Sequence, residues 1–301
     1  MAGEPIAVVG AGLMGHGIAQ VFAVAGHPVR ITDESAAALA TVHERVRRNL
    51  ERIGGDTAAV ARIEPCASLE QAVEGAAFVT EAVAEDLPLK RALFAKLDAA
   101  TAPETILASN TSVISIGAIA ADSTDPGRIV GTHWWNPPHL IPLVEVTQAQ
   151  HTRPDVVERA MALLASVGKE PVHVRKDVPG FIGNRMQHAL WREAIALVES
   201  GVADAADVDR VVKTSFGLRL SVLGPLENAD LIGLEMTRAI HGYVLPHLDA
   251  RPAPSPLLDE LIDRGDLGMA TGRGLRTWDG GEADAVRDLL FDHLVEVTSR
   301  P

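Results

Sequence analysis

Cysteine is almost absent from this sequence, since Cys66 is the only one in 301 residues. No internal disulfide can form, and a cytoplasmic location is therefore expected. No run of about 20 apolar residues occurs, so no membrane span is expected. The opening MAGEPIAVVG has neither the basic nor the apolar region of a signal peptide, and it leads directly into a strand-like segment.

Basic residues are also few. The sequence has 27 Lys and Arg and 40 Asp and Glu, which gives a net charge of −13. A broad nucleic-acid surface needs clustered basic residues and is not expected. A local pocket can still bind an anion. With 47% hydrophobic residues over 301 positions, the chain can bury an ordinary core and form two domains. Composition therefore indicates a soluble enzyme or a small-molecule-binding protein, and no metal is expected.

The first part of the chain, residues 1–176, alternates short apolar runs with helix-length stretches. Strands are predicted at Ile6–Val9, Val29–Thr32, Phe78–Thr80, Ile106–Ala108, Val130–Thr132 and Leu143–Val146. Helices are predicted at Met14–Ala25, Ala36–Ile53 and Leu87–Leu97. Repeated strand, helix, strand order requires crossover connections, so the pattern predicts an α/β domain with a mainly parallel sheet.

After Asp177-Val178-Pro179-Gly180 the strand signals nearly vanish. Helices with apolar faces are predicted at Asn184–Glu199, Ala205–Thr214, Met236–Leu245, Ser255–Arg264 and Glu282–Ser299. The proline-rich run at 251–256 is typical of a connection between two helices. We therefore expect residues 177–301 to form a second, all-helical domain.

A glycine loop, Gly10-Ala-Gly12-Leu13-Met14-Gly15, follows the first strand and opens the first helix. Gly10 permits a tight turn, Gly12 allows the backbone to approach a pyrophosphate, and Gly15 allows helix and strand to pack closely. The N–H groups of the first helical residues, Leu13 and Met14, are free to bind phosphate oxygens. The glycine spacing alone is a weak signal, but this context favours a dinucleotide site.

Asp33 ends the second strand, 23 residues after Gly10. A carboxylate there accepts hydrogen bonds from both hydroxyls of the adenosine ribose and repels a 2′-phosphate. NAD is therefore the expected cofactor, in preference to NADP. Arg30 lies on the strand and not at its tip, so it is not expected to bind a phosphate.

A histidine, His133, stands at the end of a strand-like run, in the stretch HWWNPPHLIPLVEV. Ligands collect at the carboxyl ends of strands in such sheets. Pro137 and Pro138 restrict the turn that follows, and the returning strand can bring Glu145 beside the imidazole. A carboxylate on one ring nitrogen stabilises the imidazolium, and the other nitrogen can exchange a proton with a substrate. By itself, a histidine beside tryptophans is more often a packing residue.

Ser112 follows another strand, in Ala108-Ser-Asn-Thr-Ser112. It can hydrogen-bond a substrate oxygen, or it can cap a helix predicted at residues 113–121. Spacing alone does not separate these two interpretations.

Taken together, these motifs resemble the 3-hydroxyacyl-CoA dehydrogenase family. The matching segments are GAGLMG with Asp33, EAVAEDLPLK at 81–90, ASNTS at 108–112, HWWNP at 133–137, DVPGFIGNR at 177–185 and LGPLENADLIGLE at 223–235. The resemblance covers essentially the whole chain. It implies a Rossmann-type, doubly wound domain, a helical domain that binds substrate and forms a homodimer, and a place in fatty acid metabolism.

The resemblance also implies roles for particular residues. His133 corresponds to the family's catalytic base and Glu145 to its partner, and Ser112 and Asn184 correspond to the residues that hold the reacting oxygen. Asn136 corresponds to an asparagine near the nicotinamide, and Glu85 and Lys90 to residues on the cofactor's ribose side. For Asn184 the alternative is a helix cap; for Glu85 and Lys90 it is a solvated pair of opposite charges. The implied reaction is NAD-dependent oxidation of a 3-hydroxy group.

Three departures from the family pattern leave the substrate open. The segment after the second strand is short and turns at Gly54-Gly55, where the family has a longer hairpin that contacts CoA. Arg47, Arg48 and Arg52 either replace those contacts or form a solvated helix face. HWWNP replaces the usual HFFNP, and Ala270 and Leu275 replace a lysine and an aromatic residue near the C-terminus.

Two further functions stay in competition with a CoA-linked activity. One is a dehydrogenase of a free hydroxy acid or ring-bearing alcohol, since carnitine, gulonate and hydroxymethyl-pyridine carboxylate dehydrogenases belong to the same superfamily. The other is a non-catalytic relative, such as a crystallin-like protein or an NAD sensor. Retention of Ser112, His133, Glu145 and Asn184 argues against a non-catalytic relative.

Overall fold

The computed structural model describes residues 3–298 of the chain. The chain divides into two compact units: one runs up to Arg185 and resumes at Asp292, and the other spans Met186–Phe291. The outer limits predicted for the two domains, residues 1 and 301, and the predicted last helical residue, Ser299, lie outside the described residues. The functional boundary between residues 176 and 177 stays a prediction.

One sheet of eight strands organises the described part of the first unit. The strands are β1 Ile6–Val9, β2 Val29–Thr32, β3 Ile63–Pro65, β4 Phe78–Glu81, β5 Ile106–Ser109, β6 Ile129–Trp134, β7 Leu143–Thr147 and β8 Glu170–Val174. Their order in the sheet is β3-β2-β1-β4-β5-β6-β7-β8. The first six run parallel, β7 is antiparallel to β6, and β8 is parallel to β7. The predicted mainly parallel α/β sheet is confirmed.

The two outermost strands, β3 and β8, were not predicted from the sequence. Each occupies an edge of the sheet, where one side has no neighbouring strand. An edge strand tolerates polar residues and proline, and both strands contain them: Glu64 and Pro65 in β3, and Glu170 and Pro171 in β8. The apolar run that marks a buried strand is therefore absent from both.

Both faces of the sheet are covered by helices. The helices before residue 183 are α1 Leu13–Val24, α2 Ala36–Ala40, α3 Val42–Arg52, α4 Leu69–Val73, α5 Leu87–Ala100, α6 Ile116–Ile119 and α7 Pro154–Ser166. Along β1, Ile6 and Val8 pack into one hydrophobic cluster, and Ala7 and Val9 into the other. Each fully buried aliphatic side chain contributes about 1.5–3 kcal/mol, so the continuous apolar run of β1 stabilises both layers. This is a doubly wound, Rossmann-type arrangement.

The prediction of one continuous helix over Ala36–Ile53 is wrong, because two helices, α2 and α3, meet at Thr41. The Thr41 hydroxyl donates to the carbonyl oxygens of Ala37 and Ala38, at 3.3 and 3.1 Å. A short polar side chain that bonds to nearby carbonyls competes with the regular helical ladder and favours a helix end.

From residue 183 onward the described chain is helical. The helices are α8 Gly183–Glu199, α9 Ala205–Thr214, α10 Pro225–Ile232, α11 Leu234–Val244, α12 Pro256–Asp263 and α13 Glu282–Thr298. All five predicted helices are present, and the run at 251–256 does connect α11 to α12. The short helix α10 was not predicted: its Leu226 and Leu231 are largely exposed and form no buried apolar stripe. None of the helices in residues 3–298 is long and apolar enough to cross a bilayer.

Candidate active site

The glycine loop lies between β1 and α1, and its glycines meet different constraints. Gly10 has φ +105°, and a side chain there would come within 2.6 Å of the Ala82 carbonyl oxygen. A side chain at Gly15 would collide with the carbonyl oxygen of Gly10. At Gly12, by contrast, no atom from another part of the described chain lies within 4 Å of the position of a Cβ. Packing within the protein therefore does not require a glycine at position 12, whereas the close approach of a ligand to the backbone does.

Asp33, just after β2, is tied directly to this loop. Its Oδ2 accepts a hydrogen bond from the Ala11 N–H at 2.6 Å, and its Oδ1 accepts one from the Ser35 N–H at 2.7 Å. Asp33, Gly10 and Gly12 line the same cavity, of about 480 Å³. A fixed carboxylate at this position suits a ribose diol and repels a 2′-phosphate, so the residues fit NAD.

Lys90 is one of the most deeply buried residues of the unit. Its side chain is 1% exposed, and its Nζ donates to Glu81 Oε1 at 2.6 Å and lies 3.4 Å from Glu85 Oε2. The alternative of a solvated ion pair is therefore wrong for Lys90. Neither Lys90 nor Glu85 lines the cavity at Asp33, and their contact with the cofactor's ribose stays a prediction.

Glu85 is bound instead to the turn that carries Ser112. One oxygen, Oε1, accepts hydrogen bonds from the Thr111 hydroxyl at 2.6 Å, the Ser112 N–H at 2.9 Å and the Val113 N–H at 3.1 Å. Burial alone would raise the pKa of Glu85, but the Thr111 hydrogen bond, the Lys90 charge and the two N–H groups together lower it. Glu85 is thus an anion that orders the turn.

Glu81 is the buried residue that the sequence analysis missed. It is fully buried at the end of β4, where it accepts hydrogen bonds from Lys90, from the Val83 N–H at 2.7 Å and from the Ser109 hydroxyl at 2.6 Å. A glutamate that directly continues the apolar run Phe78–Thr80 was the available signal, since a carboxylate inside a central strand needs buried partners.

His133 and Glu145 face each other across the antiparallel strands β6 and β7. They are direct register partners, and His133 Nδ1 donates to Glu145 Oε2 at 2.8 Å. Their side chains are 5% and 1% exposed. The returning strand predicted from the proline turn therefore brings the two residues together.

The other carboxylate oxygen of Glu145 accepts two backbone hydrogen bonds, from the N–H groups of Ile182 and Gly183 at 2.8 and 3.0 Å. Gly183 is the first residue of α8, so the carboxylate lies at the positive end of a helix. Burial would raise the pKa of Glu145, but the hydrogen bonds from His133 and from these two N–H groups lower it. Glu145 is therefore ionised at neutral pH.

Aromatic rings enclose the imidazole of His133. The ring centroids of Trp135 and Phe181 lie 5.2 and 5.7 Å from it. Trp135 also covers Gly183, where a Cβ would come within 2.5 Å of the indole. Phe181 is fully buried with φ +49°, the one positive value among the non-glycine residues described. These contacts hold residues 181–183 against the histidine and its carboxylate.

Ser112 and Asn184 are close together. The Asn184 side-chain amide donates to the Ser112 carbonyl oxygen at 3.0 Å. Ser112 does not cap a helix: the helix predicted at 113–121 is shortened to α6, whose N-cap is Ser115. The helix-cap alternative for Ser112 is therefore wrong. Asn136 lies on the exposed turn after β6, and its place near the nicotinamide stays a prediction.

The fold and these contacts define a class of protein. The glycine loop and Asp33 follow β1 and β2, and His133, next to the last residue of β6, is paired with Glu145 on β7 of the same Rossmann-type sheet. A dinucleotide site accounts for hydride transfer, and a buried histidine with an ionised partner accounts for proton transfer. The protein is an NAD-dependent dehydrogenase that acts on an alcohol.

Residues 5–178 match the model of the 3-hydroxyacyl-CoA dehydrogenase NAD-binding domain, and residues 180–278 match that of the family's C-terminal domain. The chain belongs to the 3-hydroxyacyl-CoA dehydrogenase family.

Two relatives and one solved structure illustrate the range of similar proteins. A 5-formyl-3-hydroxy-2-methylpyridine 4-carboxylate 5-dehydrogenase of Mesorhizobium japonicum is 36% identical over 279 residues, which covers 90% of this chain and 89% of the relative. An L-carnitine dehydrogenase of Streptomyces griseus is 40% identical over 234 residues, with 76% and 70% covered. The crystal structure of a 5-formyl-3-hydroxy-2-methylpyridine 4-carboxylic acid 5-dehydrogenase, an NAD+-dependent dismutase, superposes with a TM-score of 0.90 at 33% identity and covers 98% of this chain and 97% of that one.

Proposed function

We propose that the protein oxidises a secondary alcohol β to a carboxyl or thioester group, with His133 as the base. Glu145 engages Nδ1 of His133, so Nε2 is the nitrogen that takes the hydroxyl proton. NAD, when bound, supplies the hydride acceptor. The observation that carries the proposal is the buried 2.8 Å contact between His133 and an ionised Glu145, because that carboxylate stabilises the imidazolium formed during the reaction. In the reverse direction, His133 is the acid for ketone reduction.

Ser112 and Asn184 are proposed to hold the reacting oxygen as it becomes a carbonyl. The hydrogen bond between them and the bonds from Glu85 to the Ser112 turn support this role, because donors act best when they are fixed before the reaction. A preorganised donor of this kind is worth about 3–4 kcal/mol at a developing charge.

The proposed cofactor contacts form two groups. Around the pyrophosphate and adenosine ribose they are Gly10, Gly12, Leu13, Met14, Gly15 and Asp33; on the nicotinamide side they are Glu85, Lys90 and Asn136. The open space at Gly12 and the cavity it shares with Asp33 support the first group.

For the substrate, we propose a small hydroxy acid that is not linked to CoA. The helix α3 ends at Arg52 and the chain turns at once, which leaves little surface for a CoA contact. Arg48 on this helix pairs with Glu44, and both side chains are largely exposed. This agrees with the interpretation of these arginines as a solvated helix face. The pyridine carboxylate and carnitine dehydrogenases, whose named substrates are free acids, lend support by similarity.

The test compares kcat/KM for 3-hydroxybutyryl-CoA with that for two free 3-hydroxy acids, 3-hydroxybutyrate and carnitine. A free acid should be the better substrate by at least about tenfold. A clear preference for the thioester would reject the free-acid proposal while leaving the chemistry intact. The variant His133→Ala should lose turnover with every substrate and still bind NADH, and normal turnover would reject the mechanism.

We also propose that residues 177–301 bind substrate and form a homodimer. In the unit Met186–Phe291, large apolar side chains such as Val222, Leu226 and Tyr243 are 78–85% exposed. Extended apolar exposure of this kind marks a protein interface. Sedimentation velocity should give the mass of a dimer, and the mass of a monomer at micromolar concentration would reject the proposal.

A further inference from the structure

An arginine of α3 turns inward beneath the glycine loop. The guanidinium of Arg45 donates from Nη2 to the carbonyl oxygens of Ala11 and Ala38, at 2.6 and 2.7 Å, and from Nη1 to the carbonyl oxygen of Gly12 at 3.3 Å. Two of these three carbonyls belong to the loop itself. Arg45 therefore binds the loop from the side of α3.

A histidine of α1 completes this contact without adding charge. His16 Nδ1 donates to the Gly12 carbonyl oxygen at 2.7 Å, and His16 Nε2 accepts from the Asn49 side-chain amide at 3.3 Å. Both ring nitrogens are thus satisfied in the neutral tautomer. Burial lowers the pKa of His16, and the neighbouring Arg45 charge lowers it further. Arg45 is consequently the cation of this cluster.

These bonds hold the loop's peptide groups in one orientation, together with the first helical hydrogen bond of α1, from the His16 N–H to the Gly12 carbonyl oxygen at 3.4 Å. The C=O and N–H of a trans peptide point in opposite directions. When the carbonyls of Ala11 and Gly12 point toward Arg45, the N–H groups of Gly12 and Leu13 point away from it. Gly12 lines the cavity that contains Asp33, and these N–H groups stand at the N-terminus of α1, where an anion is stabilised.

We propose that Arg45 is a positioning residue for the cofactor: it orients the N–H groups of Gly12 and Leu13 toward the pyrophosphate and places a fixed positive charge behind them. The proposal rests on the assignment of the glycine loop to NAD, and it goes beyond that assignment by adding a residue from α3. The helix dipole alone supplies only about half a charge, so a full charge in the same place strengthens the preference for a phosphate-bearing ligand.

The test measures dissociation constants by calorimetry for NADH, ADP-ribose and adenosine, without any substrate. The variant Arg45→Met should weaken the binding of NADH and ADP-ribose about ten- to hundredfold, as loss of a charged interaction predicts, and leave adenosine within about twofold. Arg45→Lys keeps the charge but not the planar fork of the guanidinium, so its affinity for NADH and ADP-ribose should lie between those of the wild type and Arg45→Met. Arg48→Met is the matched control, because Arg48 lies on the exposed face of the same helix, and it should bind all three ligands as the wild type does.

Equal weakening of adenosine and ADP-ribose in Arg45→Met would overturn the proposal, since it would indicate general damage to the cavity. Unchanged NADH binding in Arg45→Met would overturn it as well. If the wild-type protein failed to bind ADP-ribose, the glycine-loop assignment itself would be rejected. Absence of turnover with every hydroxy acid would leave these binding results intact, so the two proposals fail separately.

Discussion

Replacing Glu145 by glutamine should disable the histidine while leaving the fold in place. The carboxylate accepts one hydrogen bond from His133 and two from the N–H groups of Ile182 and Gly183. A glutamine side chain has one acceptor oxygen and one donor NH2 group, so it cannot satisfy all three donors. Each buried N–H left facing the NH2 group would cost about 1–3 kcal/mol. The amide oxygen will therefore face the two backbone groups, and the NH2 group will face the histidine.

This orientation forces the wrong tautomer on His133. Nδ1 must then accept a hydrogen bond, the proton moves to Nε2, and Nε2 cannot take a proton from the substrate. A carboxylate-to-amide change that imposes the wrong tautomer lowers kcat about 10⁴-fold in Ser–His–Asp enzymes. A fall of about 10³–10⁴-fold, equivalent to about 4–5 kcal/mol of barrier, is expected for Glu145→Gln.

Initial rates of NADH formation on the best substrate give the effect on kcat, and ¹⁵N chemical shifts of the imidazole report the tautomer. NADH affinity and the urea unfolding midpoint should stay near wild-type values, because the two backbone bonds persist. The control Glu145→Ala loses those bonds too and should be less stable than Glu145→Gln. A kcat within tenfold of wild type, or a proton still on Nδ1, would refute this account.

Two further perturbations test the stability of the first unit. Burial, together with the nearby Lys169 charge, lowers the pKa of His139 to about 4. Because the unfolded chain takes up this proton near pH 6.5, the free energy of unfolding should fall by about 3 kcal/mol between pH 6.5 and 4. Between pH 7 and 4.5, the free energy of unfolding measured in urea should fall less for His139→Phe than for the wild type. Equal falls would contradict the prediction. Arg128 and Asp98 form an ion pair with side chains 3% and 5% exposed, so Arg128→Met should lower the unfolding free energy by about 3–5 kcal/mol. The double variant with Asp98→Asn removes the stranded charge and keeps an acceptor for the N–H groups of Thr124 and Asp125, so it should recover part of that loss. A single-variant loss below about 1 kcal/mol would show that the pair is dispensable.

Prediction from the sequence succeeded where the signal is local. The glycine loop and central strands such as β1 and β2 are encoded by residues within a few positions of one another, and β1 and β2 have the predicted limits. The return of β7 to bring Glu145 beside His133 was also predictable, because a turn with two prolines leaves the chain few paths. The edge strands β3 and β8 were missed because partial exposure removes the apolar pattern. The break at Thr41 was missed because one hydroxyl decides it.

By itself, the sequence determined the mainly parallel sheet, the glycine loop after its first strand and the return of a carboxylate to a histidine, since each depends on short-range pattern and on residue chemistry. Only the tertiary structure decided which charges are buried and what they bind. Glu145 receives two N–H groups from residues 37 and 38 positions away, and Lys90 is enclosed by Glu81 and Glu85. Arg45 is distinguished from Arg48, three residues on, by the direction in which each faces from α3. No local pattern encodes these choices, because each is fixed by packing between elements that are distant in the chain.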